Sequence, residues 1–202
     1  INGILTSHKD MLENLEIISE SHGGVKVHYI FRPTEGWTWD ISRAMIIKMA
    51  FGLGFRSIHA HLLAAQWRSL IHEMGGIEGG GTIIHYAHSL GGTETDRARA
   101  LLSPEEQRMI RVVTFGSATM VCNQGFENVV NYVSVHDGVC KLDLFGNIRN
   151  LFDPSSNIRF QGDFLSWHLC STLGIKDHFL SGPTYAPIIR QLGEQFLREF
   201  SP

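Results

Sequence analysis

Apolar residues follow two different spacings along this chain. Short apolar runs rich in β-branched and aromatic residues predict strands, whereas apolar residues that recur every three or four positions predict amphipathic helices. The predicted strands are Val25–Phe31, Thr82–Ala87, Ile110–Phe115, Val129–Val135 and Ile158–Phe160. The predicted helices run from Ser7 to Gly23-Gly24, over Ser57–Met74, from the break after Ala87 to Leu102, from Ser103, and over Ala186–Phe200. Because strands alternate with helices, we expect an α/β fold with a mainly parallel sheet and helices on both faces.

Two of the helix starts carry strong local signals. Ser7 stands three residues before Asp10, and Ser103 stands three residues before Glu106, with Pro104 at the first helical position. A capping serine and an acidic residue three positions later can each accept a hydrogen bond from the other's backbone N–H. Both segments should therefore open helices at these serines.

The length and composition fit one globular domain, which we expect to span residues 1–202. The 202 residues are 43% hydrophobic and 18% charged, with 21 glycines. A chain of this size can build a full core without support from disulfides or metals. Its formal net charge of −3 gives no electrostatic reason to expect a nucleic-acid partner.

The cysteines and paired histidines do not predict a metal or a cofactor. Cys122, Cys140 and Cys170 are odd in number and form no CxxC pair, so we interpret them as small buried apolar residues. His59 and His61 are two positions apart in a predicted helix and therefore point in different directions.

No membrane span is expected from the sequence. Uncharged apolar runs stay below about 18 residues, and the stretch Met45–Phe55 is interrupted by Lys48. The chain begins at Ile1 without the basic flank of a signal peptide, and Ile1-Asn2-Gly3 is typical of a strand end. We therefore expect a segment of a longer protein that lacks its N-terminal strands, and the localisation stays open.

The segment Thr82–Gly92 carries the strongest functional signal. An apolar strand runs into Ala87-His88-Ser89-Leu90-Gly91-Gly92 and then into a helix. A nucleophile elbow has the form G-x-S-x-G at such a turn, with small residues two positions either side of the serine so that backbones can come close. Ala87 stands in place of the first glycine, and Gly91 supplies the second. The alternative is a phosphate-binding turn, but no Lys and no G-x-G-x-x-G spacing accompany it.

Three motifs in order resemble the α/β-hydrolase fold: A-H-S-L-G-G, then R-V-V-T-F-G-S at Arg111–Ser117, then V-S-V-H-D-G-V at Val133–Val139. Within that fold they are most similar to class 3 lipases, of the fungal triacylglycerol lipase type. The chain is also similar to an uncharacterised chlamydial family that carries such a domain. The resemblance implies a serine hydrolase whose triad follows the chain order Ser, then Asp or Glu, then His.

The chain order narrows the choice of the acid. Asp137 stands just after a predicted strand, where this fold places its acid, and the resemblance agrees. Asp96 lies seven residues into the helix after Ser89 and points away. Asp143 and Asp153 are alternatives in loops.

The base must lie beyond the acid, which leaves two of the 11 histidines. His136 precedes Asp137 and is excluded by the chain order. His168 lies in an apolar stretch, where a core or surface histidine is the default, and it stays as the rival. His178 lies in a polar loop, and the run Asp177–Tyr185 resembles the histidine segment of the family. The predicted catalytic residues are Ser89, Asp137 and His178.

An oxyanion hole in this fold uses the amide after the nucleophile, here Leu90, and a second amide from the loop after an earlier strand. Asn2-Gly3-Ile4 fits the second place, because Gly3 allows close backbone approach and the Ile4 amide can then donate. The rival segment for the second donor is Arg32–Gly36, although this segment fits better as a rim or a lid.

The apolar and aromatic segment Trp37–Phe55 forms either a lid over an acyl site or ordinary helix and core. We expect a serine hydrolase that cleaves a small-molecule carboxylic ester, lipid-like, through an acyl-enzyme on Ser89. A thioesterase or an acyltransferase would share this chemistry. A catalytically silent domain used for binding is the alternative from another class.

Overall fold

The computed structural model describes residues 1–2, 6–31, 57–137, 153–162 and 178–200. The helices are α1 (His8–Ser21), α2 (Ile58–Glu73), α3 (Gly91–Arg99), α4 (Pro104–Gln107) and α5 (Tyr185–Phe200). The strands are β1 (Ile83–His88), β2 (Ile110–Phe115), β3 (Asn128–Ser134) and β4 (Ile158–Gln161). Short 3₁₀ turns lie at Ile77–Gly79 and Pro154–Ser156.

The four strands form one parallel sheet in the order β1-β2-β3-β4. The register sets Ile83 beside Ile110 in the first pair of strands and Val112 beside Val129 in the second. Because all the strand pairs are parallel, the carboxyl ends of β1, β2 and β3 lie at one edge of the sheet. The predicted α/β class with a parallel sheet is confirmed.

Helices cover both faces of the sheet. On one face, Val112 packs with Leu63 and Trp67 of α2 and with Ala98 of α3. Val113 follows Val112 in β2 and lies in a second cluster with the last helix, because successive side chains of a strand point to opposite faces. That second cluster contains Val113, Phe115, Val130, Tyr132, Leu180, Tyr185, Ile188 and Ile189, with Ile17 and Ile18 of α1 against it.

The two serine-led helix starts form as the sequence predicts. Ser7 Oγ accepts from Asp10 N at 3.1 Å while Asp10 accepts from Ser7 N at 3.0 Å. Ser103 and Glu106 make the same reciprocal pair at the start of α4. Among the described residues, no helix is both long enough and apolar enough to cross a bilayer.

The predicted strand Val25–Phe31 is not a strand in the structure. Its residues Val25–Tyr29 and residues Ile83–Tyr86 of β1 both line a cavity of about 280 Å³. A β-branched pattern supplies the propensity for a strand, but a strand also needs a hydrogen-bonded neighbour. Among the described residues, no backbone hydrogen bond joins this segment to β1.

Ile1 lies beside β1, near the carboxyl end of that strand. The Ile1 nitrogen donates to Tyr86 O at 2.9 Å, and His88 N donates to Ile1 O at 3.1 Å. These two bonds are those of a parallel bridge. They place Asn2 next to the end of β1.

Candidate active site

Ser89 occupies a strained turn between β1 and α3. Its φ of +56° is in the left-handed region, which costs an ordinary residue about 1–2 kcal/mol. Ser89 N donates to Phe115 O, and Ser89 O accepts from Ala118 N, both at 3.1 Å. Strain of this kind persists where the surroundings fix the backbone, and it is typical of a serine presented by a nucleophile elbow.

The small residues around Ser89 are explained by close backbone contacts. A Cβ atom on Gly91 would lie 2.6 Å from Ile1 O, and one on Gly92 would run into Ser117 Oγ. Ala87 is 1% exposed, so its methyl group is already enclosed. Larger side chains at these positions would push the neighbouring segments away from the turn.

Asp137 and His178 form a buried hydrogen-bonded pair at the same edge of the sheet. Asp137 follows β3 by three residues, is 0% exposed, and accepts from His178 Nδ1 at 2.8 Å. Because a carboxylate accepts, the neutral imidazole carries its proton on Nδ1. Its Nε2 is then left as the acceptor that a general base requires.

Tyr185, the first residue of α5, completes the surroundings of the acid. Its hydroxyl donates to Asp137 Oδ2 at 3.2 Å and accepts from Ser134 N at 3.1 Å. A hydrogen bond to a charged acceptor contributes about 1.5–3 kcal/mol. The sequence showed Tyr185 only as the end of the run that begins before His178, and no local pattern pointed to its contact with Asp137.

Gly116 allows Asp137 and His178 to lie close to the end of β2. The sequence alone did not indicate this role. The φ of Gly116 is +52°. A Cβ atom there would run into Asp137 Oδ2 and would lie 3.0 Å from Tyr185 Oη and 3.2 Å from His178 Nδ1. The glycine in the T-F-G-S motif is therefore required by the site as well as by the turn.

We expect Gly116→Ala to lower kcat/KM for an ester substrate by at least about 100-fold, because a displacement near 1 Å can cost that much. Gly125→Ala is the matched control. Gly125 also has a positive φ, +107°, but its Cβ would meet the side chain of Gln107, away from the site. Both variants should lose about 1–2 kcal/mol of unfolding free energy in urea titrations. Equal activity losses would show that the loss is one of stability.

Ser89 and His178 are both buried, but no hydrogen bond connects their side chains. Ser89 Oγ and His178 Nε2 each lack a hydrogen-bond partner among the described residues. Such bonds are often long in free enzymes and tighten when substrate binds. The hydrogen bond between Asp137 and His178 is formed, and no hydrogen bond joins Ser89 Oγ to His178 Nε2.

Of the predicted oxyanion donors, only Leu90 lies in the described ranges. It is the residue before the first turn of α3 and is 2% exposed. The first N–H groups of a helix lack partners within the helix and favour negative charge. Gly3, Ile4 and the rival Arg32–Gly36 lie outside the described residues, as does the candidate lid Trp37–Phe55.

The alternatives for acid and base lie elsewhere or outside the described residues. Asp153 Oδ1 accepts from Ser155 N at 2.9 Å and caps a 3₁₀ turn. Asp96 pairs with Arg99 at 3.3 Å on α3. Asp143 and His168 are not described. Within the described ranges, no three His, Cys, Asp or Glu side chains come together as a metal site.

A small apolar cavity of about 50 Å³ lies directly beside the elbow. It is lined by Ala87, His88, Phe115 and Leu180, together with residues of α1 and of 29–30. The cavity of about 280 Å³ on the flank of β1 is larger, but Ser89, Asp137 and His178 are not among its lining residues. Those three residues do not line the smaller cavity either, but two of its lining residues, Ala87 and His88, directly precede Ser89 in the chain.

Comparison with known proteins found no match among family models, curated proteins or solved structures. The class that the structure itself defines is an α/β protein with a buried Asp–His pair and a strained serine at one edge of a parallel sheet.

Proposed function

We propose that this protein is a serine hydrolase that cleaves a carboxylic ester, and that it is related to the α/β-hydrolases of class 3 lipase type. The observation that carries the proposal is the buried bond of 2.8 Å between Asp137 and His178 at the sheet edge that also holds Ser89. The three residues follow one another along the chain in the order that such triads have in this fold.

Each residue has a separate part in the proposed reaction. Ser89 Oγ attacks the ester carbonyl carbon as its proton passes to His178 Nε2. The tetrahedral intermediate then breaks its bond to the alcohol oxygen, and the alcohol leaves with that proton. Water then attacks the acyl-enzyme carbonyl carbon and gives a proton to His178. The bond between that carbon and Ser89 Oγ breaks, Ser89 takes the proton back from His178, and the carboxylic acid is released. Asp137 holds the imidazole in one tautomer and stabilises its protonated form.

The oxyanion of both tetrahedral intermediates needs fixed donors. The Leu90 amide is the donor that the described residues offer, because it follows Ser89 at the start of α3. The proposed second donor is the Ile4 amide, next to Gly3. Loss of one such donor typically lowers kcat by about 10²–10³-fold.

The proposed substrate is a small-molecule ester with an apolar acyl group, and neither a nucleic acid nor a cofactor enters the reaction. The small cavity lined by Ala87, Phe115 and Leu180 supplies an apolar wall beside the residues that precede Ser89. The segment Trp37–Phe55 is the proposed lid. A thioester substrate, or an acyl acceptor other than water, would use the same acyl-enzyme.

We expect kcat/KM for p-nitrophenyl acetate, butyrate, hexanoate and octanoate to rise about fourfold per two-carbon step. Each buried methylene contributes about 0.8 kcal/mol, and the figure assumes that half of it is expressed in the transition state. A flat or falling series would replace the lipase-like proposal with a small-acyl esterase.

A catalytically silent domain used for binding is the second candidate. The observation in its favour is that Ser89 Oγ and His178 Nε2 have no hydrogen-bond partner among the described residues. A silent domain would show neither turnover of any ester nor reaction of Ser89 with an active-site-directed phosphonate.

A further inference from the structure

His88 lies against the proposed base. It is the last residue of β1, directly before Ser89, and is 5% exposed. Its ring centroid is 4.6 Å from that of His178, with 36° between the ring planes. The two side chains are therefore in ring-to-ring contact inside the protein.

The contact includes a hydrogen bond from side chain to main chain. His88 Nε2 lies 2.5 Å from the carbonyl oxygen of His178. A carbonyl oxygen only accepts, so Nε2 carries the proton and Nδ1 is the unprotonated nitrogen of a neutral ring. His178 is thus held by Asp137 at its Nδ1 and by His88 at its backbone.

His88 keeps this donor over the pH range in which a histidine base works. Burial lowers the pKa of His88 to about 3, and the charge of His178 is the next largest cause of the lowering. Protonation would place a second proton on Nδ1, which has no acceptor among the described residues. The neutral tautomer with its proton on Nε2 is therefore the stable form.

We propose that His88 is a positioning residue for the base, holding the backbone and ring of His178 so that its Nε2 can meet Ser89 Oγ. This inference rests on the proposed function. It gives the residue before the nucleophile a task beyond packing the turn, since it links the end of β1 to a residue 90 positions later in the chain.

Two substitutions at His88 separate the hydrogen bond from the bulk of the ring. His88→Phe keeps an aromatic ring and removes the donor, whereas the side-chain amide of His88→Gln can donate at a similar reach. With p-nitrophenyl butyrate, we expect His88→Phe to lower kcat about 10–100-fold with KM little changed. His88→Gln should recover most of that loss.

His85→Phe is the matched control. His85 is also a buried histidine of β1, but its Nε2 pairs with Thr95 Oγ1 at 2.9 Å on α3. Its substitution should lower the melting temperature without changing kcat per active site. Active sites are counted with a fluorophosphonate, so that misfolded protein does not enter kcat. Should His88→Phe not fold, His88→Asn serves instead, because its shorter amide does not reach the carbonyl.

A second readout does not depend on turnover. In Ser89→Ala protein, the His178 Nδ1 proton should give a low-field proton NMR signal that His88→Gln retains and His88→Phe shifts or broadens. Unchanged kcat and an unchanged signal in His88→Phe, or His88→Gln no better than His88→Phe, would overturn the positioning role. If the wild-type protein neither reacts with the fluorophosphonate nor hydrolyses the ester, the proposed function fails. A proton signal that still responds to His88→Phe would then show only that His88 holds His178 in the structure.

Discussion

Replacing Ser89 with alanine should lower kcat/KM for p-nitrophenyl butyrate by at least about 10⁴-fold, the scale of loss seen when a triad member is removed. The expected reason is that alanine lacks the hydroxyl that the strained turn presents and that the proposed reaction uses as its nucleophile. The fold should survive, because Ser89 Oγ makes no hydrogen bond to the described residues.

The control for this variant is Ser156→Ala. Ser156 is also buried, and its hydroxyl donates to Asp153 O at 2.7 Å, away from the site. It should lose about 1 kcal/mol of unfolding free energy and keep its activity. Residual activity above roughly one part in a hundred in Ser89→Ala would show that another group is the nucleophile.

His178→Ala should have an effect of the same size, because Ser89 is a weak nucleophile unless a base takes its proton. His136→Ala is the nearest control. His136 neighbours Asp137 in the chain and is half-buried, but the carboxylate bonds to His178. His136→Ala and His168→Ala should each change kcat/KM by less than about tenfold. A larger loss in His168→Ala than in His178→Ala would assign the base to His168.

The parts of the fold that the sequence predicts are those set by neighbours in the chain. The capping pairs of Ser7 and Ser103 involve residues three positions apart, and both form. The apolar run Ile110–Phe115 is typical of a strand that is buried on both faces, and its side chains pack into both the cluster with α2 and the cluster with α5. Val25–Phe31 has the same local character, but no neighbouring strand is hydrogen-bonded to it among the described residues.

The contacts of the site depend on long-range geometry that no local pattern contains. Tyr185 meets Asp137 across 48 positions, and His88 meets His178 across 90. Gly116 is explained only once Asp137 and His178 are placed beside it. Ser89, Asp137 and His178 could be proposed from the sequence because the resemblance to α/β-hydrolases supplies the order of a triad along the chain. The groups that hold those residues in place could not.

The most direct measurement of the central claim is labelling of the wild-type protein with a fluorophosphonate, followed by mass spectrometry of its peptides. Such a probe reacts with a serine that a base has activated, whatever the substrate. Between roughly pH 6 and 9, where a histidine base is neutral for much of the range, Ser89 should carry the phosphonyl group, and Ser89→Ala protein should stay unlabelled. Wild-type protein that remains unlabelled across that range, or that carries the label on a different serine, would contradict the assignment of Ser89 as the nucleophile.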